Sequence, residues 1–249
     1  YLIDFFKVVA SDVRGHGDSL NFKSSRIRHW QLFANDLCAV VAATLPPPVV
    51  GIGHSMGAVA TMMAAIARPE MFAATVLIEP PILPSRTLWL LRVLRWLGLE
   101  GLLPLAKGAR RRRQVFRSKQ AALKRFASSR GIFKKWSPEF IDAYLECGLL
   151  EKDTQSAVLK CDPELEAQIF ESIPLNVWRY AKKIRCPVLA IRGELSDTFF
   201  ADAARRLGDI IADYELQTIS DTGHFPPMEK PQESANLILD FVHRKIKSL

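Results

Sequence analysis

The sequence predicts an α/β fold, a mostly parallel sheet flanked by helices, with a helical insertion in its middle. Three observations carry that expectation. Strand-like and helix-like runs alternate over residues 1–81 and again over 182–249. An apolar run meets the turn Gly53-His54-Ser55-Met56-Gly57 and passes straight into a helix-like run. Between the two stretches, residues 82–181 break the alternation with helix-like patterns and an abrupt change of charge. The expected organisation is therefore one core built from 1–81 and 182–249, with 82–181 inserted as a helical cap.

Lys7-Val8-Val9-Ala10-Ser11 reads as the first strand. From Gln31 to Leu45, the residues Leu32, Phe33, Leu37, Val40, Val41 and Leu45 recur at helical spacing, and Pro46-Pro47-Pro48 ends that helix. Val49 to Ile52 forms the strand before the glycine turn. Ala58 to Ala67 forms the helix after it, stopped by Pro69. Residues 74–79 and 187–192 are apolar enough to be strands buried on both faces. Ala201 to Leu207 is expected to be helical and Tyr214 to Ile219 a short strand. Asn236 to Ile246 closes the chain as a helix, with Leu237, Ile238, Phe241, Val242 and Ile246 on one side. No strand pair is expected between residues 82 and 178.

Ser55 is the candidate nucleophile. A serine on a sharp strand–turn–helix junction holds its hydroxyl clear of the backbone, and the flanking glycines remove Cβ atoms from the turn. A hydroxyl needs a base, and the base an orienting acid. Of the five histidines, His224 alone lies late in the chain and in a loop, Asp221-Thr222-Gly223-His224-Phe225-Pro226-Pro227. His243 sits within the helical tail and reads as a solvated helix residue. Asp197 is the first choice for the acid, because it follows the strand ending at Gly193 and open α/β sheets gather ligands at the carboxyl ends of strands. Glu194 lies nearer that strand, with a structural acceptor as its alternative reading. Glu79, at the end of the strand 74–79, is the second candidate.

Together these pieces resemble the α/β-hydrolase family. Asp12-Val13-Arg14-Gly15-His16-Gly17-Asp18-Ser19 is similar to its loop after the fourth strand, and Gly53 to Gly57 to its nucleophile elbow. Arg68-Pro69-Glu70-Met71-Phe72 resembles the turn after the nucleophile helix. Arg192 to Asp197 resembles the acid loop, and Gly223-His224-Phe225 with Glu229 to Glu233 the histidine loop and final helix. The resemblance implies an α/β-hydrolase sheet with a helical cap that covers the serine. It further implies a Ser55-His224-Asp197 triad and an oxyanion donor at the Met56 N–H. Serine at the nucleophile position separates the chain from the family's haloalkane dehalogenases and epoxide hydrolases. Family members begin with three more strands, the third ending in a His-Gly-type loop that supplies a second oxyanion donor. The chain opens instead at Tyr1-Leu2-Ile3-Asp4-Phe5-Phe6, so the resemblance implies an N-terminally truncated stretch of a longer protein.

The 249 residues are 49% hydrophobic, enough for a sizeable core. Net charge is +8, and it is unevenly spread. Residues 86–135 hold 15 Lys/Arg and one acid, Glu100, leaving 19 bases and 25 acids elsewhere. The run Arg110 to Arg113, with Arg117, Lys119, Lys124 and Arg125, has no nucleic-acid motif beside it, so nucleic acid is not an expected partner. Its expected role is a solvated helix with Val115, Phe116, Leu123 and Phe126 facing inward, or steering of anionic substrates. Leu88 to Leu97, rich in Trp and Leu and punctuated by Arg92 and Arg95, is expected to pack over an apolar pocket; lying on an anionic membrane is the less favoured reading. Four scattered cysteines, Cys38, Cys147, Cys161 and Cys186, imply reduced, mostly buried thiols and a cytoplasmic protein. No metal and no cofactor are implied. The expected activity is serine-dependent hydrolysis of an apolar, or anionic, ester or acyl compound. The alternatives are a non-catalytic ligand-binding protein on the same fold, and a carbon–carbon hydrolase or acyltransferase with the same triad.

Overall fold

The computed structural model describes residues 1–19, 26–128, 131–153 and 156–246. The chain begins with α1 (Gln31–Thr44), β1 (Val49–His54), α2 (Met56–Ala67), β2 (Phe72–Ile78) and α3 (Ser85–Trp96). It continues with α4 (Pro104–Arg110), β3 (Val115–Phe116), α5 (Lys119–Ala127), α6 (Pro138–Gly148), β4 (Leu149–Asp153), β5 (Ser156–Leu159) and α7 (Pro163–Glu171). It closes with α8 (Val177–Ala181), β6 (Val188–Gly193), α9 (Ala201–Gly208), β7 (Tyr214–Ile219), α10 (Pro226–Glu229) and α11 (Pro231–Lys245). The described residues group into two compact units, Tyr1–Ala10 with Gln31–Leu90 and Pro174–Leu249, and Ser11–Trp30 with Leu91–Ile173.

The first unit holds a four-stranded sheet of order β1-β2-β6-β7, parallel throughout. Ala74 to Ile78 of β2 and Val188 to Ile191 of β6 lie inside, as strands covered on both faces must. Ala74, Val76, Ile78, Leu189, Ile191 and Ile219 of the strands pack with Ile238, Phe241 and Val242 of α11. On β1 and β2 packs α2, whose Ala58 to Ala65 are all buried. This sheet matters for function because a parallel sheet brings every strand's carboxyl end to one edge.

Lys7 to Ser11 is not a strand. These residues are exposed and have no strand beside them in the sheet, and without a ladder partner β propensity does not make a strand. The chain start forms a turn instead. Phe5 and Phe6 donate their N–H groups to the Leu2 carbonyl, and Leu2 and Phe6 pack on the core.

The second unit departs further from expectation. It contains an antiparallel sheet of order β3-β5-β4, where the sequence suggested helices alone. The strands are two to five residues long, too short for a clear period-2 signal. Alternation survives locally: Phe116 points into the core and Val115 stays exposed, so the expected inward face loses Val115. Phe116, Ala122, Phe133, Ile141, Leu145, Leu149, Ala157 and Leu159 form the core of this unit. A second cluster joins α4 and α7 through Ala106, Ala109 and Ala167. Beside it Arg110 forms a fork on Glu164 (2.7 and 2.9 Å) and reaches buried Glu171 at 2.6 Å. Arg112 pairs with Glu166 at 2.9 Å.

In α3 only Leu88 is fully buried, with Leu91, Val93 and Leu94 half-buried. Trp89, Leu90 and Trp96, and Leu97 just beyond the helix, remain exposed, Trp96 at 84%, so the run packs along one side only. All four cysteines are free thiols, but Cys38, Cys161 and Cys186 are half-buried and Cys147 exposed, rather than fully inside. Among the described residues no helix is long and apolar enough to cross a membrane.

Candidate active site

Four strand ends of the first unit converge. The Ser55 N–H continues the β1–β2 ladder to the Ile78 carbonyl at 2.9 Å, and α2 begins at the next residue. Ser55 sits at φ 54, ψ −120, a left-handed turn that a serine adopts only under constraint. The constraint is close packing of the strand end on α2. A Cβ on Gly53 would lie 2.2 Å from the Gly57 carbonyl oxygen and 2.4 Å from its carbon. Gly57 itself faces open space, so only the first glycine of the pair is required for room.

The Oγ of Ser55 lies 3.0 Å from Nε2 of His224, and Nδ1 of His224 lies 3.1 Å from Oε2 of Glu79. Glu79 is fully buried, at 0% exposure. A charge there must be compensated, and Glu79 accepts three hydrogen bonds: from Gly193 N–H at 2.7 Å, from the Ser196 hydroxyl and from the His224 ring. Ser196 is held in turn by N–H groups of Thr198 and Phe199 at 3.2 and 3.0 Å. Glu79 also stands at φ 50 directly before Pro80, where the following ring disfavours departure from extended backbone. Among the described residues the non-glycine positions with positive φ are Ser55, Glu79 and Asp221, each on a loop that builds this site.

Asp197, the first-choice acid, is therefore not the partner of His224. It is exposed, and among the described residues its Oδ1 accepts from the neighbouring Thr198 hydroxyl alone, at 3.1 Å. The geometry selects the second candidate because β2 and β6 are adjacent and end at the same edge. The β6 loop supplies Gly193 N–H and Ser196 to hold a carboxylate that β2 provides. Glu194 serves as a structural acceptor, taking the Asp221 N–H at 3.0 Å. A Cβ on Gly193 would sit 2.1 Å from the Gly223 carbonyl, so this glycine lets the strand end touch the histidine loop. His243 is exposed on α11, as expected.

His54 has a role the sequence did not disclose. Its Nε2–H donates to the His224 main-chain carbonyl at 2.7 Å, and the two rings lie 4.9 Å apart. Burial first, then the neighbouring His224, lower its pKa from 6.5 to about 4. His54 thus stays neutral and keeps the proton that anchors the His224 main chain. A histidine with a depressed folded pKa takes up its proton in the unfolded chain first. Its penalty begins as pH falls through 6.5, grows toward pH 4, and is absent above 6.5. Acid unfolding of His54→Gln, which retains an amide donor, should show a shallower loss of stability than the native protein between pH 6.5 and 4. Identical slopes would contradict this role.

The glycine contacts carry a second expectation. Gly53→Ala and Gly193→Ala should each cost about 3 kcal/mol in thermal or denaturant unfolding. Gly57→Ala, in the first turn of α2 with room for its methyl, should change stability by no more than about 1 kcal/mol.

The first helical residue after Ser55 is Met56. The first four N–H groups of a helix lack intrahelical acceptors, and the helix dipole adds positive potential there. No group of His, Cys, Asp or Glu among the described residues is arranged to hold a metal ion.

The model of the Alpha/beta hydrolase family matches residues 1–237. The chain is 27% identical over 261 aligned positions to Lipase LipV of Mycobacterium tuberculosis, covering 93% of this chain and 81% of that protein. It is 25% identical over 235 positions to the abhydrolase domain-containing protein AFT2-1 of Alternaria alternata, covering 79% and 84%. Among solved structures, E-2-(acetamidomethylene)succinate hydrolase superposes with a TM-score of 0.74 at 20% identity, covering 93% and 80%. The thioesterase domain from the curacin biosynthetic pathway superposes with a TM-score of 0.71 at 18% identity, covering 92% and 79%.

Proposed function

Because the chain belongs to the alpha/beta hydrolase family, we propose that it is a serine hydrolase that cleaves carboxylic esters or related acyl compounds through an acyl-enzyme. The observation that carries this reading is the continuous relay from Ser55 Oγ through both nitrogens of His224 to Glu79, at 3.0 and 3.1 Å. Glu79 accepts Nδ1–H and thereby leaves the Nε2 lone pair facing the serine hydroxyl. Ser55 Oγ attacks the substrate carbonyl carbon while its proton passes to His224 Nε2. The carbonyl electron pair moves onto oxygen, and the Met56 N–H at the start of α2 is read as the donor that receives it. Collapse of this tetrahedral species breaks the bond to the leaving group, which takes the proton from His224. Water then repeats the sequence on the acyl-enzyme and frees Ser55. Glu79 stabilises the imidazolium in both halves, and His54 holds the backbone that carries it.

A panel of p-nitrophenyl esters and acyl thioesters of graded chain length, with Ser55→Ala as the blank, tests the reading. Saturable hydrolysis that disappears in the blank supports it, and hydrolysis equal in both proteins contradicts it.

A further inference from the structure

The second unit carries a cationic cavity whose lining includes none of Ser55, His224 and Glu79. Of the arginines between 110 and 125, Arg110 and Arg112 are neutralised by Glu164, Glu171 and Glu166. Arg111, Arg113, Arg117 and Arg125 have no carboxylate partner among the described residues. Three of these line one surface cavity of about 420 Å³, Arg113, Arg117 and Arg125, with Phe116 and Ala121. A neighbouring cavity of about 570 Å³ shares Arg113, Phe116 and Arg125 and adds Arg111 and the Glu166-paired Arg112.

The fold brings these guanidinium groups together by construction. Arg113 and Arg117 flank the two-residue strand β3, and Arg125 lies one helical turn beyond Ala121 on α5, on the same face. Arg113 is held in place, with its Nε–H on the Val115 carbonyl at 3.1 Å and its guanidinium 5.6 Å above the Phe116 ring. The start of α5 adds positive potential, and its first turn contains no acidic residue. Like charges gathered without a counter-charge repel one another, and a doubly charged anion relieves that repulsion. Guanidinium forks match phosphoryl oxygens in pairs.

We propose that the Arg113-Arg117-Arg125 cavity is a binding site for a phosphoryl group carrying at least two negative charges, as in a pyrophosphate or phosphomonoester. The site is independent of the serine hydrolase reading. Inorganic pyrophosphate titrated calorimetrically into the protein at low ionic strength should bind saturably. Arg117→Gln combined with Arg125→Gln should weaken that binding about 10-fold or more, while hydrolysis of an uncharged ester and the melting temperature stay unchanged. Lys182→Gln with Lys183→Gln, which removes the same charge from the other unit, should leave binding as it was. Sedimentation with phosphatidylcholine vesicles, with and without phosphatidic acid, separates the sources. Arginine-dependent binding of pyrophosphate without sedimentation identifies a free phosphorylated ligand, and arginine-dependent sedimentation with phosphatidic acid identifies a lipid headgroup. Absence of both, or equal weakening by the arginine and lysine pairs, overturns the proposal.

Discussion

Glu79→Gln is expected to lower kcat/KM for ester hydrolysis by about 10⁴-fold, whereas Asp197→Asn should leave it within about twofold. The contrast follows from what each group touches. Glu79 is an acceptor for three donors, Gly193 N–H, the Ser196 hydroxyl and His224. An amide in its place turns one of the two acceptor oxygens into a donor nitrogen. If the amide nitrogen turns to His224, the imidazole must carry its proton on Nε2 and can no longer take one from Ser55. If it turns to Gly193, two N–H groups meet and the loop is pushed apart. Among the described residues, Asp197 has only its contact with Thr198 to lose. Glu79→Asp, which keeps the charge and shortens the reach, should retain more activity than Glu79→Gln at comparable stability. A fall in activity for Asp197→Asn as large as for Glu79→Gln would return the acid to the β6 loop.

Ser55→Ala should abolish turnover, by about 10⁴-fold or more, without unfolding the protein. The hydroxyl hydrogen-bonds His224, and the left-handed turn at φ 54 is imposed by the strand and α2 rather than by the side chain. Stability should therefore stay within about 1 kcal/mol of the native protein. The Ser55→Ala variant thus separates loss of the nucleophile from loss of the fold, which no glycine substitution in the elbow can do.

Much of the first unit was legible because its signals are local. Val49 to Gly57 announces strand, turn and helix within nine residues, and Pro46 to Pro48 and Pro69 mark boundaries that the structure respects. The histidine followed from its loop of glycine and prolines. The acid was not legible in the same way. Glu79 and Asp197 both follow apolar strands, and β2 and β6 are neighbours whose ends differ in three dimensions, not in sequence pattern. One signal did favour Glu79: a carboxylate set between the apolar run Val76-Leu77-Ile78 and two prolines has little chance of solvation, so it needs buried partners. His54 was invisible because its partner is a main-chain carbonyl 170 residues away. The second unit was misread for another reason. Two-residue β3 and four-residue β5 fall below the length at which alternation can be told from a helix turn. Lys7 to Ser11 shows the converse, a β-prone sequence that no neighbouring strand makes into a ladder.

The most direct measurement is covalent labelling by a fluorophosphonate, read by intact mass and peptide mapping. A relay of Ser55, His224 and Glu79 predicts a single adduct on Ser55, absent in Ser55→Ala and formed far more slowly in Glu79→Gln. No adduct, an adduct on a different residue, or undiminished labelling in Glu79→Gln would contradict it.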